Sequence, residues 1–130
     1  MSKLHLYTVF HLNLAFSSIE EESRKAVIKE CYWPVLNIAQ KFGGIGIELT
    51  GYTIEEIQKI DPSWVKRFKQ LQDESKCELV GSGYAQIIGP LVPFEVNKKN
   101  LELGNNLYSS LLGRQSQIAY VNEQAYSQGL

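Results

Sequence analysis

The chain has 130 residues, 44% of them hydrophobic and 21% charged, enough for one domain with its own core. Its apolar content and net charge of −1 are those of a globular rather than a disordered chain, and the pI near 6.1 argues against nucleic acid as a main partner, since phosphate binding needs clustered Lys and Arg. No apolar run approaches the ~20 residues of a membrane span. The apolar stretch Leu4 to Phe16 is interrupted by His5, His11 and Asn13 and is followed by no cleavage site. Cys31 and Cys77 lie far apart with no CxxC spacing, and are expected to be two small buried thiols in a reducing compartment. A cytoplasmic protein is the expectation.

In chain order, Leu4 to Phe10 is rich in β-branched and aromatic residues and predicts a strand with His11-Leu12-Asn13 at its end. Ser17 and Ser18 are N-cap candidates, and Glu20, Glu21 and Glu22 suit the first turn of a helix from about Ile19 to Phe42. Val27, Cys31, Val35, Ile38 and Phe42 mark its apolar stripe. Pro34 falls inside it and predicts a kink or two consecutive helices, and Gly43-Gly44 ends it. Ile45 to Leu49 predicts a second strand. Thr53 with Glu56 has the form of a capping box, Asp61-Pro62-Ser63 interrupts, and a further helix is expected from about Trp64 to Asp73. Cys77 to Val80 is a third strand. A long loop follows from Gly81 through Pro90 and Pro93, then a helix from about Asn97 to Leu112, and Gly113 stops it. Ile118 to Val121 is the fourth strand.

Strands alternating with helices of ten residues or more predict right-handed βαβ units and a parallel sheet, buried on both faces. The sheet is either doubly wound or part of a barrel, and periodicity does not separate the two. No G-x-G-x-x-G turn follows the first strand, no P-loop is present, and a G-x-S-x-G elbow is missing. Two His and two Cys at scattered spacing do not supply a structural zinc site.

Ligands of α/β proteins bind at the carboxyl ends of the strands. His11 and Asn13 stand after strand one, Glu48 near the end of strand two, Ser82, Tyr84 and Gln86 after strand three, and Glu123 and Tyr126 after strand four. Each also has a plain structural reading. His11 can be a hydrogen-bonded histidine at a strand end, Glu48 a solvated edge carboxylate or a lysine partner, and Glu123 a helix N-terminal acid. Glu78 stands inside an apolar strand, where a buried carboxylate must be paired or hydrogen-bonded. Trp33, Trp64 and Tyr32 fall in helical patterns and are expected in the core.

Three runs carry a resemblance. Phe10-His11-Leu12-Asn13-Leu14-Ala15-Phe16 resembles the opening histidine motif of glycoside hydrolase family 57. Glu78 to Tyr84, continuing through Pro90-Leu91-Val92-Pro93, is similar to its second motif. Ala119 to Tyr126 resembles the motif of the catalytic nucleophile, with Tyr120 and Gln124 where that motif usually carries Trp and Arg. The resemblance implies an α/β fold, a β/α barrel of the seven-stranded type. It implies action on α-glucans by retaining hydrolysis or transglycosylation, with Glu123 as nucleophile. His11, Asn13, Glu78, Tyr84, Gln86 and Tyr126 would bind sugar, and no metal or organic cofactor is implied. The acid/base is then an aspartate on a later strand, placed so that the two carboxyls stand about 5–5.5 Å apart. A full barrel takes roughly 200 residues or more. Residues 1–130 are therefore expected to hold about the first four βα units, the N-terminal half of a glycoside hydrolase/deacetylase-like barrel. The expected partners are an oligo- or polysaccharide and either the remainder of the barrel or a second copy of the chain. The alternative is a non-catalytic carbohydrate-binding or assembly module on the same fold.

Overall fold

A computed structural model describes residues 4, 6–15 and 17–128. Four strands form one sheet in the order β1 (Thr8–Leu12), β2 (Ile45–Leu49), β3 (Cys77–Gly81) and β4 (Ile118–Ala119), every pair parallel. Between β1 and β2 run a short 3-10 turn (Glu21–Ser23), α1 (Arg24–Val27), a π-turn (Ile28–Tyr32) and α2 (Trp33–Phe42). Helices α3 (Gly51–Ile60) and α4 (Pro62–Asp73) link β2 to β3, and α5 (Phe94–Leu112) links β3 to β4.

The strand order decides between the two architectures left open by periodicity. Right-handed crossovers between strands taken in sequence place every helix on the same face of the sheet. The core shows this arrangement. Phe10, Leu12, Ile45, Ile47, Leu49, Cys77 and Leu79 pack with Ile28, Leu36, Ile54, Trp64, Phe68, Tyr108 and Leu112 from the helices. Strand side chains alternate between faces, so His11, Glu48, Glu78 and Val80 point to the opposite, helix-free face. One helical layer outside and a free concave face inside is the start of a barrel, not a doubly wound sheet. Burial on both faces holds for β2, all five residues of which are buried, while β1 and β4 are the exposed margins of the sheet.

Several boundaries differ from the sequence expectation, each for a local reason. The first strand starts at Thr8, because its ladder begins where β2 begins, with Thr8 opposite Ile45. Pro34 divides the long helix through a widened turn: lacking an N–H, it cannot bond the carbonyl four residues back, and the Trp33 N–H reaches Ile28 O instead. Helix α3 begins two residues before Thr53. Thr50 is the cap, its Oγ1 accepting the Thr53 N–H at 3.1 Å. Helix α5 begins at Phe94, directly after Pro93. Strand β4 is two residues long, although the Tyr120 N–H continues the ladder to Gly81 O at 2.8 Å.

Trp64 is fully buried against Phe68 and Tyr32, and Trp33 is half-buried with its indole N–H on Asp61. The thiols do not form the expected buried pair. Cys77 lies in β3 beneath the helices, but Cys31 is exposed, and both are free. Among the described residues no helix is long and apolar enough to cross a membrane.

Candidate active site

The carboxyl ends of all four strands meet on the helix-free side. His11 and Glu48 are register partners on β1 and β2, so their side chains stand together on that face. Glu48 is 0% exposed. A carboxylate so placed must be satisfied by hydrogen bonds. One oxygen meets His11 Nδ1, and the other accepts from the hydroxyl of Ser82, itself buried just past β3. The sequence reading of Glu48 as a solvated edge group or a lysine partner is therefore corrected: it is the buried centre of the rim. Ser82 is a rim residue by its place after the third strand, and its clamp on Glu48 has no sequence signal.

A second chain of contacts runs alongside the first. Asn13 Nδ2 donates to Gln86 Oε1 at 2.7 Å, while Asn13 Oδ1 accepts the Ala15 N–H at 3.0 Å and shapes the turn after β1. With its carbonyl so engaged, the Gln86 amide turns its Nε2 toward Glu123 Oε1, 3.0 Å away. Glu123 follows β4 in a left-handed conformation, φ 55° and ψ 15°, and Gln124 has φ 53°. For a non-glycine residue that conformation costs on the order of 1–2 kcal/mol. The backbone of the preceding residue is anchored, because Asn122 Nδ2 donates to Ser82 O at 3.3 Å from a buried position. The bend turns the Glu123 carboxylate back over the rim instead of along the chain. Tyr120 places its ring 6.2 Å from that of His11.

His11, Asn13, Gln86 and Glu123 are thus brought together. Tyr126 is near but open, 72% exposed beside a groove shared with Phe94, Leu101, Tyr120 and Asn122. Two other residues lie apart. Tyr84 turns toward the helices, donating its hydroxyl to Glu55 Oε2 at 3.0 Å with its ring edge-on to Tyr52. That bond to Glu55, with partial burial, raises the Tyr84 phenol above its ordinary value. Glu78 is the second residue of β3, level with Val9 and Gly46 at the amino end of the sheet. Its side chain is exposed rather than buried in an apolar strand, and it accepts the Tyr7 hydroxyl at 3.1 Å. Burial first, then the Glu78 contact, raises the Tyr7 phenol.

Comparison with known proteins agrees with the fold. The family model described as glycosyl hydrolase family 57 matches residues 6–130. No curated protein matches the chain. Among solved structures, the 4-alpha-glucanotransferase from Thermococcus litoralis superposes with a TM-score of 0.79 at 17% identity, over 93% of this chain and 19% of that one. At that identity the likeness speaks for the fold, and this chain spans about a fifth of the length of the enzyme it resembles. Because the family model covers nearly every residue, the chain belongs to glycosyl hydrolase family 57.

Proposed function

We propose that this chain supplies the nucleophile side of a retaining enzyme acting on α-glucans, as the N-terminal part of a seven-stranded β/α barrel. The observation that carries the reading is Glu123 bent over the rim and held at 3.0 Å by an amide that Asn13 has oriented. A donor on Oε1 fixes the orientation of the carboxyl group and leaves Oε2 to attack. In the reaction, Glu123 Oε2 bonds to the anomeric carbon as the glycosidic C–O bond breaks. The leaving oxygen takes a proton from a second carboxyl group, for which the family pattern supplies a later aspartate. Water or a sugar hydroxyl then displaces Glu123, and two inversions give net retention. His11 and Tyr126 are assigned to the sugar, and Gln86 and Asn13 to the carboxylate. The exposed, unpaired Cys31 suits a reducing, cytoplasmic setting.

The test is Glu123→Gln in the full-length protein with maltooligosaccharides. Turnover should fall by roughly 10⁴-fold, the scale on which loss of a nucleophile acts, and wild-type products should keep the α configuration by NMR. Unchanged turnover would remove the nucleophile assignment. A second reading, a carbohydrate-binding or assembly module, draws on Tyr120 and Gln124 in the nucleophile run and on Glu78 being engaged by Tyr7 away from the rim. It predicts a wild-type protein that binds maltooligosaccharides without turning them over.

A further inference from the structure

We infer that Glu48 is a positioning residue, which holds the His11 ring as its Nδ1–H form and presents Nε2 to the rim. The inference rests on proton accounting. Glu48 lies wholly inside, and both of its oxygens are in contact, one with Ser82 Oγ and one with His11 Nδ1. Ser82 fills one oxygen as a hydroxyl donor. A carboxylate so engaged has only acceptor capacity left, so the ring nitrogen facing it must carry a proton. A bare Nδ1 would set its lone pair against a buried negative oxygen. The partner of one imidazole nitrogen fixes the role of the other. The His11 side chain is 45% exposed whereas that of Glu48 is 1% exposed, so the ring spans from a buried anchor to the open face. Nε2 is left for a ligand, as an acceptor when the ring is neutral and a donor when it is charged.

Backbone register reinforces the pairing. His11 and Glu48 are direct neighbours across β1 and β2, and Val80 occupies the next place on β3. The ring is held by Glu48 and has the Tyr120 ring 6.2 Å away, and rotation about its bonds would break the Glu48 contact. That a sugar hydroxyl is what meets Nε2 rests on the α-glucan reading above. The tautomer does not.

The experiment is nitrogen NMR of the imidazole in ¹⁵N-histidine-labelled protein. The chain has two histidines, and His5→Gln leaves His11 alone. With the ring neutral, the wild type should show a pyrrole-type shift at Nδ1, a pyridine-type shift at Nε2, and an Nδ1 proton protected from water. Glu48→Gln should move the population toward the Nε2–H form, while Ser82→Ala should keep the Nδ1–H form. A wild-type ring in the Nε2–H form overturns the inference, and this spectrum decides even if a variant fails to fold. So does a folded Glu48→Gln variant with unchanged shifts. Titration with maltoheptaose then tests the other reading separately. A predicted tautomer whose Nε2 signal ignores the saccharide leaves Glu48 in place and counts against the α-glucan assignment.

Discussion

Gly104→Ala sets two effects of opposite sign against each other at one position behind the rim. In an unencumbered helix, alanine is favoured over glycine by about 1 kcal/mol. Gly104 sits in the middle of α5, so propensity alone predicts a more stable protein. A Cβ there, however, would stand 2.6 Å from the carbonyl carbon of Gly83 and 2.9 Å from its Cα and O. Ordinary contact begins at 3.4 Å, so helix and loop would have to part by about 0.8 Å. The atoms in the way are backbone, and that backbone is fixed. Gly83 O accepts the Gly51 N–H at 2.8 Å, and the Tyr84 N–H donates to Asn100 O at 2.9 Å. Overpacking costs typically 1–3 kcal/mol, and backbone on both sides puts this case near the top of that range. The net effect is a loss of about 2 kcal/mol, or roughly 8 °C in melting temperature for a domain of this size. Thermal and urea unfolding would measure it, with Asn106→Ala as a control at an exposed position of the same helix, expected to gain a few tenths of a kcal/mol. A Gly104→Ala protein melting at or above the wild-type temperature would refute the argument.

Two further outcomes follow from burial and hydrogen bonding. Burial pushes the Cys77 thiol up to about 12, whereas Cys31 is exposed. A disulfide reagent at mildly alkaline pH should therefore titrate one thiol in the native protein and two after denaturation. Two in the native state would place Cys77 outside the core. For Asp61, burial alone would raise the carboxyl, but hydrogen bonds from Ser63, the Trp33 indole and two backbone amides outweigh it and hold it below its ordinary value near 3.8. A lowered folded value stabilises above the unfolded value, and that contribution is lost as pH falls through the folded one. Below about pH 4 the wild type should thus lose stability more steeply than Asp61→Asn. Parallel acid-unfolding profiles would contradict this.

The contrast between Glu48 and Glu78 shows what the sequence carried and what it did not. Each carboxylate interrupts an apolar strand, and the same rule applies to both: a charge among Ile, Leu and Val is either satisfied inside or left outside. The rule does not say which. What decides is the distance to the carboxyl end of the strand. Glu48 is the fourth of five residues in β2 and reaches the rim, whereas Glu78 is the second of five in β3 and stays at the amino end. Strand β2 was legible to the residue because Gly43-Gly44 and Thr50-Gly51 bound it on both sides. Strand β1 starts later than its composition predicts because its start depends on where β2 begins, which is a contact between distant residues. The Asn13–Gln86–Glu123 chain was legible only in part. Its members could be named from their places after strands, but the Gln86 amide is oriented by Asn13 across 73 positions. No local pattern records that.

The strand order also accounts for how few residues build the site. Because each crossover returns on the same side, each strand opens onto the same rim one place further round, so chain order and spatial order coincide. His11, Glu48, Ser82 and Glu123 come from β1, β2, β3 and β4 or the turns just after them; His11 and Ser82 both contact Glu48, and Glu123 joins the rim through the Gln86 amide. Position on the rim therefore fixes the kind of group that is useful there. Where two buried strands adjoin, at β2 and β3, the polar groups must satisfy one another, and Glu48 with Ser82 does so. At the exposed margins, β1 and β4, side chains retain access to solvent, and the two groups assigned to meet a ligand, His11 and Glu123, stand there. A reactive carboxylate could not occupy the place of Glu48 without giving up the hydrogen bonds that make its burial tolerable. A carboxylate in the place of Glu123 has Gln86 beside it and remains open to solvent. The roles proposed for the two acids thus accord with where sheet topology places them, one buried at β2 and one at the open margin after β4.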